Sequence, residues 1–150
     1  MPFLDLLPAE RVRTGLAARD KAELIERLAN LLGDGDAAIA RDALAARERL
    51  GSTGLGHGVA IPHGRSTHVD EARAAFVRLA EPVDFGAGDG QPVDLVAALL
   101  VPAHFTDQHL KLLAELAELF SDAALTTALR EAPDAAVLRD VLKKGLRTEG

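Results

Sequence analysis

The sequence predicts an α/β fold in which a single central β-sheet is flanked by helices. Residues 95–101 form a continuous apolar run of strand length, which is typical of a central strand covered on both faces. The first third and the last third of the chain carry apolar residues at helical spacing. Strands separated by helices pack as a sheet between helical layers, and we expect residues 1–150 to form one domain.

The first third begins with a predicted strand and a predicted helix. Residues 11–16 are the strand candidate. Asp20 and Glu23 have the spacing of a capping box, which starts a helix that ends at Leu32 before a glycine-containing turn. The apolar face of this helix is predicted to consist of Leu24, Ile25, Leu28, Leu31 and Leu32.

The middle of the chain is predicted to contain one further helix and short strands. Asp36 can cap a helix that runs to about Leu50. Its inward side chains are expected to be Ile39, Ala43 and Ala46. Residues 59–61 and 74–79 are predicted strands, whereas residues 81–92 carry two prolines and three glycines and are predicted to be a loop or turn.

The last third is predicted to be helical. Thr106 can cap a helix that extends to Phe120. Its apolar face is predicted to consist of Leu110, Leu113, Ala117 and Phe120. The starts of the two following helices are marked by Ser121 or Asp122 and by Pro133 with Asp134. The final helix is expected to end near Lys144.

Composition excludes several classes of function. The formal net charge is −6, and the chain has no Trp or Tyr, so it lacks the basic surface and aromatic platforms that nucleic acids need. The absence of cysteine excludes disulfides and thiolate metal sites. No signal peptide is evident, and the longest apolar run, residues 95–103, is too short to insert into a bilayer. We therefore predict a cytoplasmic protein that does not contact nucleic acid.

A glycine-rich segment presents one histidine in a setting rich in backbone groups. Residues 51–64 contain five glycines and end in Pro62-His63-Gly64. Glycine allows main-chain N–H groups to approach an anion closely. Pro62 fixes its own φ and favours an extended residue before it, so His63 is expected at a rigid strand end. This setting suits a nucleophilic or phosphate-carrying histidine, although a glycine-rich turn with an incidental surface histidine has the same composition.

The segment resembles a known phosphorylation-site pattern. The matching residues are Glu48 and, after six residues, Leu55-Gly56-x-x-Val59-Ala60-Ile61-Pro62-His63-Gly64. They are similar to the fructose/mannitol-type IIA proteins of the bacterial phosphotransferase system. Residues 91–102, followed by His109-Leu110-Lys111, are most similar to the nitrogen-regulatory branch. The resemblance extends from about Leu16 to about Leu142. It implies a mixed central sheet and a phosphoryl group accepted on His63 from a small histidine phosphocarrier protein.

Two further residues are candidates for supporting His63. If Thr106 caps its helix, His109 lies in the first helical turn, where the helix dipole favours neutral imidazole and nearby anions. Spacing alone is also consistent with a solvent-facing histidine, but the resemblance implies that His109 faces His63. Arg47 precedes the glycine-rich segment, and its guanidinium can bind phosphate oxygens or remain solvated. Arg65 is an equally plausible charge partner.

The glycine-rich segment supplies the other predicted phosphate-binding residues. Ser52 and Thr53 can cradle phosphate oxygens or cap local turns. Backbone N–H groups are expected to contribute at Gly54, Gly56 and Gly58. His57 stands where the nitrogen-regulatory proteins usually have an amide side chain, so it either contacts phosphate or replaces one polar group by another. His57, His63 and His68 lack the spacing and the further ligands of a zinc site, and we predict no metal and no cofactor.

Three function classes follow from a phosphorylated His63. The first is a regulatory phosphoprotein, formally a phosphotransferase, whose targets the resemblance suggests to be potassium-transport or sensor-kinase systems. The second is a sugar-specific IIA component that relays the phosphoryl group to a membrane permease. The third is a hydrolase with His63 as base, which lacks an acid partner at motif spacing. No permease segment is fused within the chain, and residues 91–102 also favour the regulatory class.

Overall fold

The chain folds around a mixed β-sheet. The computed structural model describes residues 3–33 and 35–149, and within them six strands form one sheet. The strands are β1 Val12–Leu16, β2 Gly54–Gly56, β3 Val59–Ala60, β4 His63–Ser66, β5 Arg73–Val83 and β6 Val93–Pro102. The helices are α1 Lys21–Leu32, α2 Ala37–Glu48, α3 Asp107–Leu119, α4 Ala123–Glu131 and α5 Ala135–Glu149. Two short 3-10 helices, Phe3–Leu6 and Ala9–Arg11, precede β1.

Strand β6 organises the sheet, whose order is β1-β5-β6-β3-β2. One edge of β6 pairs antiparallel with β5, which pairs parallel with β1. The other edge pairs parallel with β3 and, further along, with β4. Strand β2 adds to β3 in antiparallel orientation. The predicted α/β fold with a single mixed central sheet is therefore confirmed.

Alternate side chains of β6 enter two separate hydrophobic cores. Leu95, Ala97 and Leu99 belong to a core shared with α3, α4 and α5. Val96, Ala98 and Leu100 belong to a core shared with α1 and α2. All six side chains are fully buried. Residues 95–101 thus form the central strand covered on both faces that their apolar sequence predicts.

Aspartate side chains begin the helices as the sequence predicts. Asp20 accepts a hydrogen bond from the backbone N–H of Glu23 at the start of α1. Asp36, Asp122 and Asp134 accept equivalent bonds at the starts of α2, α4 and α5. Thr106 precedes α3, but its side chain makes no capping bond. None of the helices among the described residues has the length and apolar character needed to span a membrane.

Two predicted helix faces were correct only in part. In α3 the most buried residues of the helix are His109, Leu112, Leu116 and Leu119; of the predicted face, Leu113 and Phe120 pack on the core, whereas Leu110 and Ala117 are exposed. In α2 the buried residues are Ala40 and Leu44; the predicted Ile39 and Ala43 pack against the same core and are partly buried, whereas Ala46 is exposed. The face of α1 was predicted correctly, because its leucines are larger and more regularly spaced than the side chains of α2.

Two strands differ from the sequence prediction. Strand β4 was not predicted, because its sequence His63-Gly64-Arg65-Ser66 has little strand propensity. Strand β5 extends to Val83, into residues predicted to be a loop. Pro82 is tolerated there because it lies where the register with β6 shifts, between the pairs Arg78–Leu95 and Val83–Val93.

Candidate functional site

His63 and His109 meet in an open pocket of about 700 Å³ between α2, β4 and α3. The centroids of the two imidazole rings are 5.1 Å apart, and the ring planes are inclined by 55°. Arg47 and Arg65 line the same pocket. The four residues that the sequence singled out most strongly are therefore brought together from three separate elements. The remaining lining residues are Ala43, Ala46, Leu50, Gly64, Ala103, Thr106, Leu110 and Leu113.

An interruption between β3 and β4 positions His63. Both strands pair with β6, but Ile61 and Pro62 lie between them and leave the regular ladder. The chain rejoins β6 at the pair His63–Leu99. Nδ1 of His63 lies 2.8 Å from the carbonyl oxygen of Ile61. Because a carbonyl can only accept a hydrogen bond, Nδ1 carries the proton, and Nε2 of the neutral ring keeps a lone pair.

Gly64 allows α2 to lie directly against the site. A Cβ atom at this position would be 2.6 Å from the carbonyl carbon of Ala43, which is closer than such atoms approach. Glycine at position 64 is therefore required by the packing of α2 on β4. This close approach brings Arg47, one turn after Ala43, to the edge of the His63 pocket.

The surroundings of His63 favour the neutral ring. The residue is only 8% exposed, and this burial is the main cause that lowers the pKa of His63 below its ordinary value. The positive charges of Arg47 and Arg65 lower the pKa further. The hydrogen bond to Ile61 and the charge of Glu48 oppose these effects in part. The net result is an uncharged imidazole near pH 7, which is the form that acts as a nucleophile.

His109 is also neutral, but one of its ring nitrogens has no partner. The residue is 6% exposed and lies in the first turn of α3. Burial, followed by the charges of His63 and Arg65, lowers the pKa of His109 to about 4. Its Nδ1 is buried and makes no hydrogen bond within the described part of the chain. His109 can therefore donate a hydrogen bond to an anion held on His63, or it can take up a proton when such an anion is nearby.

Ser52 and Thr53 point into the protein scaffold rather than line the His63 pocket. The Ser52 hydroxyl donates to the carbonyl oxygen of Phe85 at 2.8 Å and accepts from the Gly54 N–H at 3.0 Å. Thr53 is buried, and its hydroxyl donates to the Glu48 carboxylate. Gly54 is in contact range of Ala87, so it also belongs to this scaffold. These bonds correspond to the turn-building alternative for the two hydroxyls.

Gly56, His57 and Gly58 form a tight turn away from His63. His57 and Gly58 line a second open pocket of about 640 Å³. They connect β2 to β3 as a two-residue loop in which φ is +57° and +81°. Two consecutive positive φ values are the requirement of a type I′ hairpin turn. Histidine tolerates this conformation better than most residues, and asparagine better still.

An ion pair holds this turn against α4. Arg130 donates to both carboxylate oxygens of Asp94 at 2.9 and 3.0 Å, and to the carbonyl oxygen of His57 at 2.6 Å. The His57 N–H donates to Asp89 at 2.8 Å. His68 is exposed on the chain after β4, so the three histidines considered for zinc lie in different places. Position 57 is thus tied to the hairpin and not to the His63 pocket.

The sequence did not reveal three residues of the site. Leu50 and Leu110 border the His63 pocket and are 84% and 60% exposed, which is unusual for large apolar side chains. The sequence feature that could have indicated an exposed Leu50 is its position just after α2, directly behind three charged residues. Glu48 was read only as the first residue of the motif. Its side chain is 7% exposed and pairs with Lys21 at 2.8 Å.

Comparison with known proteins gives matches over nearly the whole chain. The family described as "Phosphoenolpyruvate-dependent sugar phosphotransferase system, EIIA 2" matches residues 5–145. A nitrogen regulatory protein of Bradyrhizobium diazoefficiens is 39% identical over 146 residues, covering 95% of this chain and 95% of that protein. These matches confirm the resemblance that the residues around His63 predict.

A solved structure and a second relative extend the comparison. The crystal structure of nitrogen regulatory protein IIA-Ntr from Neisseria meningitidis has a TM-score of 0.88 and 40% sequence identity. It covers 93% of this chain and 97% of that chain. A relative from Haloferax volcanii, named a fructose-specific EIIA component, is 38% identical over 114 residues, or 76% of this chain and 73% of that protein. Relatives named for nitrogen regulation and for sugar transport both occur at this level of identity.

Proposed function

The chain belongs to the phosphoenolpyruvate-dependent sugar phosphotransferase system EIIA 2 family, and we propose that it accepts a phosphoryl group on His63 and regulates partner proteins accordingly. Family membership implies partners of the phosphocarrier type. The proposed donor is a small histidine phosphocarrier protein. The observation that carries the proposal is the bond from Nδ1 of His63 to Ile61, because it leaves Nε2 as the reactive nitrogen beside His109 and Arg47.

The proposed step requires one nucleophile and little further covalent chemistry from the protein. Nε2 of His63 attacks the phosphorus atom of the donor's phosphohistidine, and a new N–P bond forms as the donor's N–P bond breaks. The bonding pair of the broken bond returns to the donor nitrogen, and the Nδ1 proton of His63 stays on its ring. Catalysis then consists of positioning the two rings and stabilising the charge of the transferring group.

Three residues are suited to stabilise that charge. Arg47 and Arg65 both line the pocket, and guanidinium groups bind phosphate oxygens bidentately. His109 would donate a hydrogen bond to a phosphoryl oxygen, and the arriving negative charge would raise the pKa of His109 from about 4. The residues of the β2–β3 turn lie outside this pocket, so we do not include them among the phosphate ligands.

Phosphotransfer from purified components tests the acceptor assignment. We expect incubation with phosphoenolpyruvate, the first enzyme of the system and its histidine carrier to give an acid-labile, base-stable adduct. His63→Ala should abolish labelling, whereas His68→Ala, which removes an exposed histidine five positions further on, should be labelled as fast as the wild type. Labelling that persists in His63→Ala would refute the assignment.

The regulatory role is favoured by the names of two relatives that are about 40% identical over nearly the whole chain and by the surface around His63. The Bradyrhizobium and Neisseria proteins are both named nitrogen regulatory proteins. Leu50 and Leu110 offer exposed apolar surface beside the acceptor, and a phosphoryl group there adds up to two negative charges. Phosphorylation should therefore weaken binding of a target that covers this surface. The family resemblance suggests potassium-transport or sensor-kinase systems as targets, and the cytoplasmic location remains a prediction.

The second candidate function is sugar-specific phosphate relay, which the Haloferax relative favours. In that case phosphorylated His63 would pass its group to a permease of the fructose or mannitol type. Adding the phosphorylated protein to membranes that contain such permeases distinguishes the two functions. We expect no sugar phosphate, together with capture of a target protein that depends on the phosphorylation state. Rapid formation of sugar phosphate would overturn the regulatory assignment.

A further inference from the structure

We propose that Glu48 and Thr53 are positioning residues for His63, acting through a continuous series of hydrogen bonds that ends at its imidazole ring. The inference rests on the proposed role of His63 as phosphoryl acceptor. Neither residue lines the pocket, so neither touches the transferring group. Their effect is on the tautomer and orientation of the ring.

The series contains four hydrogen bonds between consecutive groups. The Glu48 carboxylate accepts from both the N–H of Thr53, at 3.2 Å, and its hydroxyl. The carbonyl oxygen of Thr53 accepts from the Ile61 N–H at 3.1 Å. The carbonyl oxygen of Ile61 accepts from Nδ1 of His63 at 2.8 Å. A buried carboxylate thus fixes the backbone of Thr53, which fixes the backbone of Ile61, which in turn holds the acceptor ring.

The Glu48 end of the series is held firmly. Its side chain is 7% exposed, and Oε1 lies 2.8 Å from Nζ of Lys21. Lys21 is itself positioned by Phe85, because Nζ donates to the Phe85 carbonyl oxygen at 3.3 Å and lies 4.4 Å from the ring centroid. The carboxylate therefore cannot move without breaking an ion pair and two hydrogen bonds.

The His63 end needs such support because Ile61 lies outside the regular strands. The Ile61 carbonyl lies in the interruption between β3 and β4. The hydrogen bond from the Ile61 N–H to the Thr53 carbonyl oxygen fixes the backbone of Ile61 to the residue that precedes β2. Held in this position, the Ile61 carbonyl accepts from Nδ1 of His63, keeps the proton on that nitrogen and leaves the lone pair on Nε2, as a carboxylate does in catalytic triads.

The same loop also contacts Arg47. Its guanidinium donates to the carbonyl oxygen of Gly51 at 2.9 Å, two residues before Thr53. Displacement of Thr53 would therefore disturb the placement of Arg47 as well as that of His63. Glu48 thus acts on both the nucleophile and a charge partner while remaining outside the pocket.

The experiment compares Thr53→Val with Thr53→Ser. Valine has the shape of threonine but cannot donate to Glu48, whereas serine can. Nitrogen-15 NMR of the unphosphorylated protein reports which ring nitrogen of His63 carries the proton. We expect the wild type and Thr53→Ser to be protonated on Nδ1, and Thr53→Val to show a mixture of the two tautomers. Phosphotransfer to Thr53→Val should be about tenfold slower, by analogy with the loss of a hydrogen-bond partner that orients a metal-binding histidine.

Glu48→Gln provides a second variant that keeps the side-chain volume, and Glu26→Gln is its matched control. Glu26 is a half-exposed carboxylate on α1 paired with Arg41. Glu48→Gln should shift the His63 tautomer and slow phosphotransfer, and Glu26→Gln should change neither. Wild-type tautomer and rate in a folded Thr53→Val or Glu48→Gln variant would overturn the inference. Failure of the wild type to be labelled would instead refute the proposed function, while the NMR comparison would still test the positioning role.

Discussion

At the scale of single residues, the two pocket histidines differ in one property that fits their proposed roles. Nδ1 of His63 has a carbonyl partner, so the ring has one defined tautomer. Nδ1 of His109 is buried without a partner in the described residues, so its tautomer is not set by that nitrogen. A defined lone pair suits a nucleophile. A ring nitrogen without a partner can adapt to an anion that is present only part of the time.

Burial of a neutral His109 should make stability depend on pH. The unfolded residue titrates near 6.5, whereas the pKa of His109 in the folded protein is about 4. Between these values the unfolded state binds more protons, so the free energy of unfolding falls as pH decreases from about 6.5 to about 4. Above this range the contribution is constant, and below it the loss is complete. Because solvent screens part of this effect, the difference corresponds to at most about 3 kcal/mol.

His109→Gln should flatten this pH dependence, because glutamine does not titrate. Urea unfolding of the wild type and the variant at a series of pH values between 7.5 and 4 measures the difference. Titrating groups that do not interact with His109 contribute equally to both proteins, so subtraction isolates His109 together with its interaction with His63. Parallel pH profiles for the two proteins would show that His109 is not held neutral by the fold.

The site residues divide into those that the sequence could predict and those that it could not. Arg47 and His63 were identifiable because each carries a side chain suited to phosphoryl chemistry in or beside the motif, whereas His109, 46 residues further on, was identified through the family resemblance. Ser52 and His57 carry equally polar side chains, but these serve the scaffold and the hairpin turn. Residue type does not distinguish a polar group that builds a turn from one that faces a pocket, since the difference lies in where the backbone directs it.

At the scale of secondary-structure elements, the errors of prediction have two physical causes. Helix α3 carries two apolar stripes one position apart, and the sequence pattern favoured the one without a histidine. The burial of His109 against His63 decides between them, and that contact is tertiary. Strand β4 forms because β6 offers a free edge from Leu99 to Pro102, not because its own residues favour a strand.

The β2–β3 turn offers a test of whether position 57 is structural. Asn-Gly is the preferred pair for a type I′ turn, so His57→Asn should change the free energy of unfolding by less than about 0.5 kcal/mol or raise it. Gly58→Ala should lower it by more than about 1 kcal/mol, because φ is +81° and a Cβ would lie 2.5 Å from Nη2 of Arg130. His68→Asn serves as the control for loss of an imidazole.

Phosphotransfer measurements on the same variants distinguish a purely structural role of His57 from a role in binding phosphate. If position 57 is purely structural, His57→Asn should be labelled at a rate within twofold of the wild type. A tenfold decrease in His57→Asn, with His68→Asn unaffected, would return His57 to the set of phosphate ligands.

At the scale of the whole molecule, the sheet separates two hydrophobic cores, and none of the helices among the described residues contributes buried side chains to both. Helices α1 and α2 pack on one face, and α3, α4 and α5 pack on the other. The site lies where elements from both faces meet, since residues of α2 and of α3 line the His63 pocket together with β4. Its geometry therefore depends on both cores being formed. We expect the chain to unfold as one unit despite its two separate cores.

Leu28→Ala and Leu116→Ala test this expectation from opposite faces of the sheet. Both leucines are fully buried, Leu28 in the core with α1 and Leu116 in the core with α3. Each substitution leaves a cavity and should lower the free energy of unfolding by about 2–5 kcal/mol. Leu110→Ala is the matched control on α3, because its side chain is 60% exposed and should cost less than about 1 kcal/mol.

Circular dichroism is the appropriate probe, since the chain has no Trp or Tyr to report by fluorescence. Urea unfolding of each variant should give one transition with a lower midpoint and an unchanged slope, because the surface exposed on unfolding is the same. NMR signals of Leu24 and Leu129, which lie in different cores, should disappear together. If Leu116→Ala loses the Leu129 signals at a urea concentration where the Leu24 signals persist, the two cores unfold separately. The chain would then populate a partly folded state in which α3 is detached and His109 no longer contacts His63.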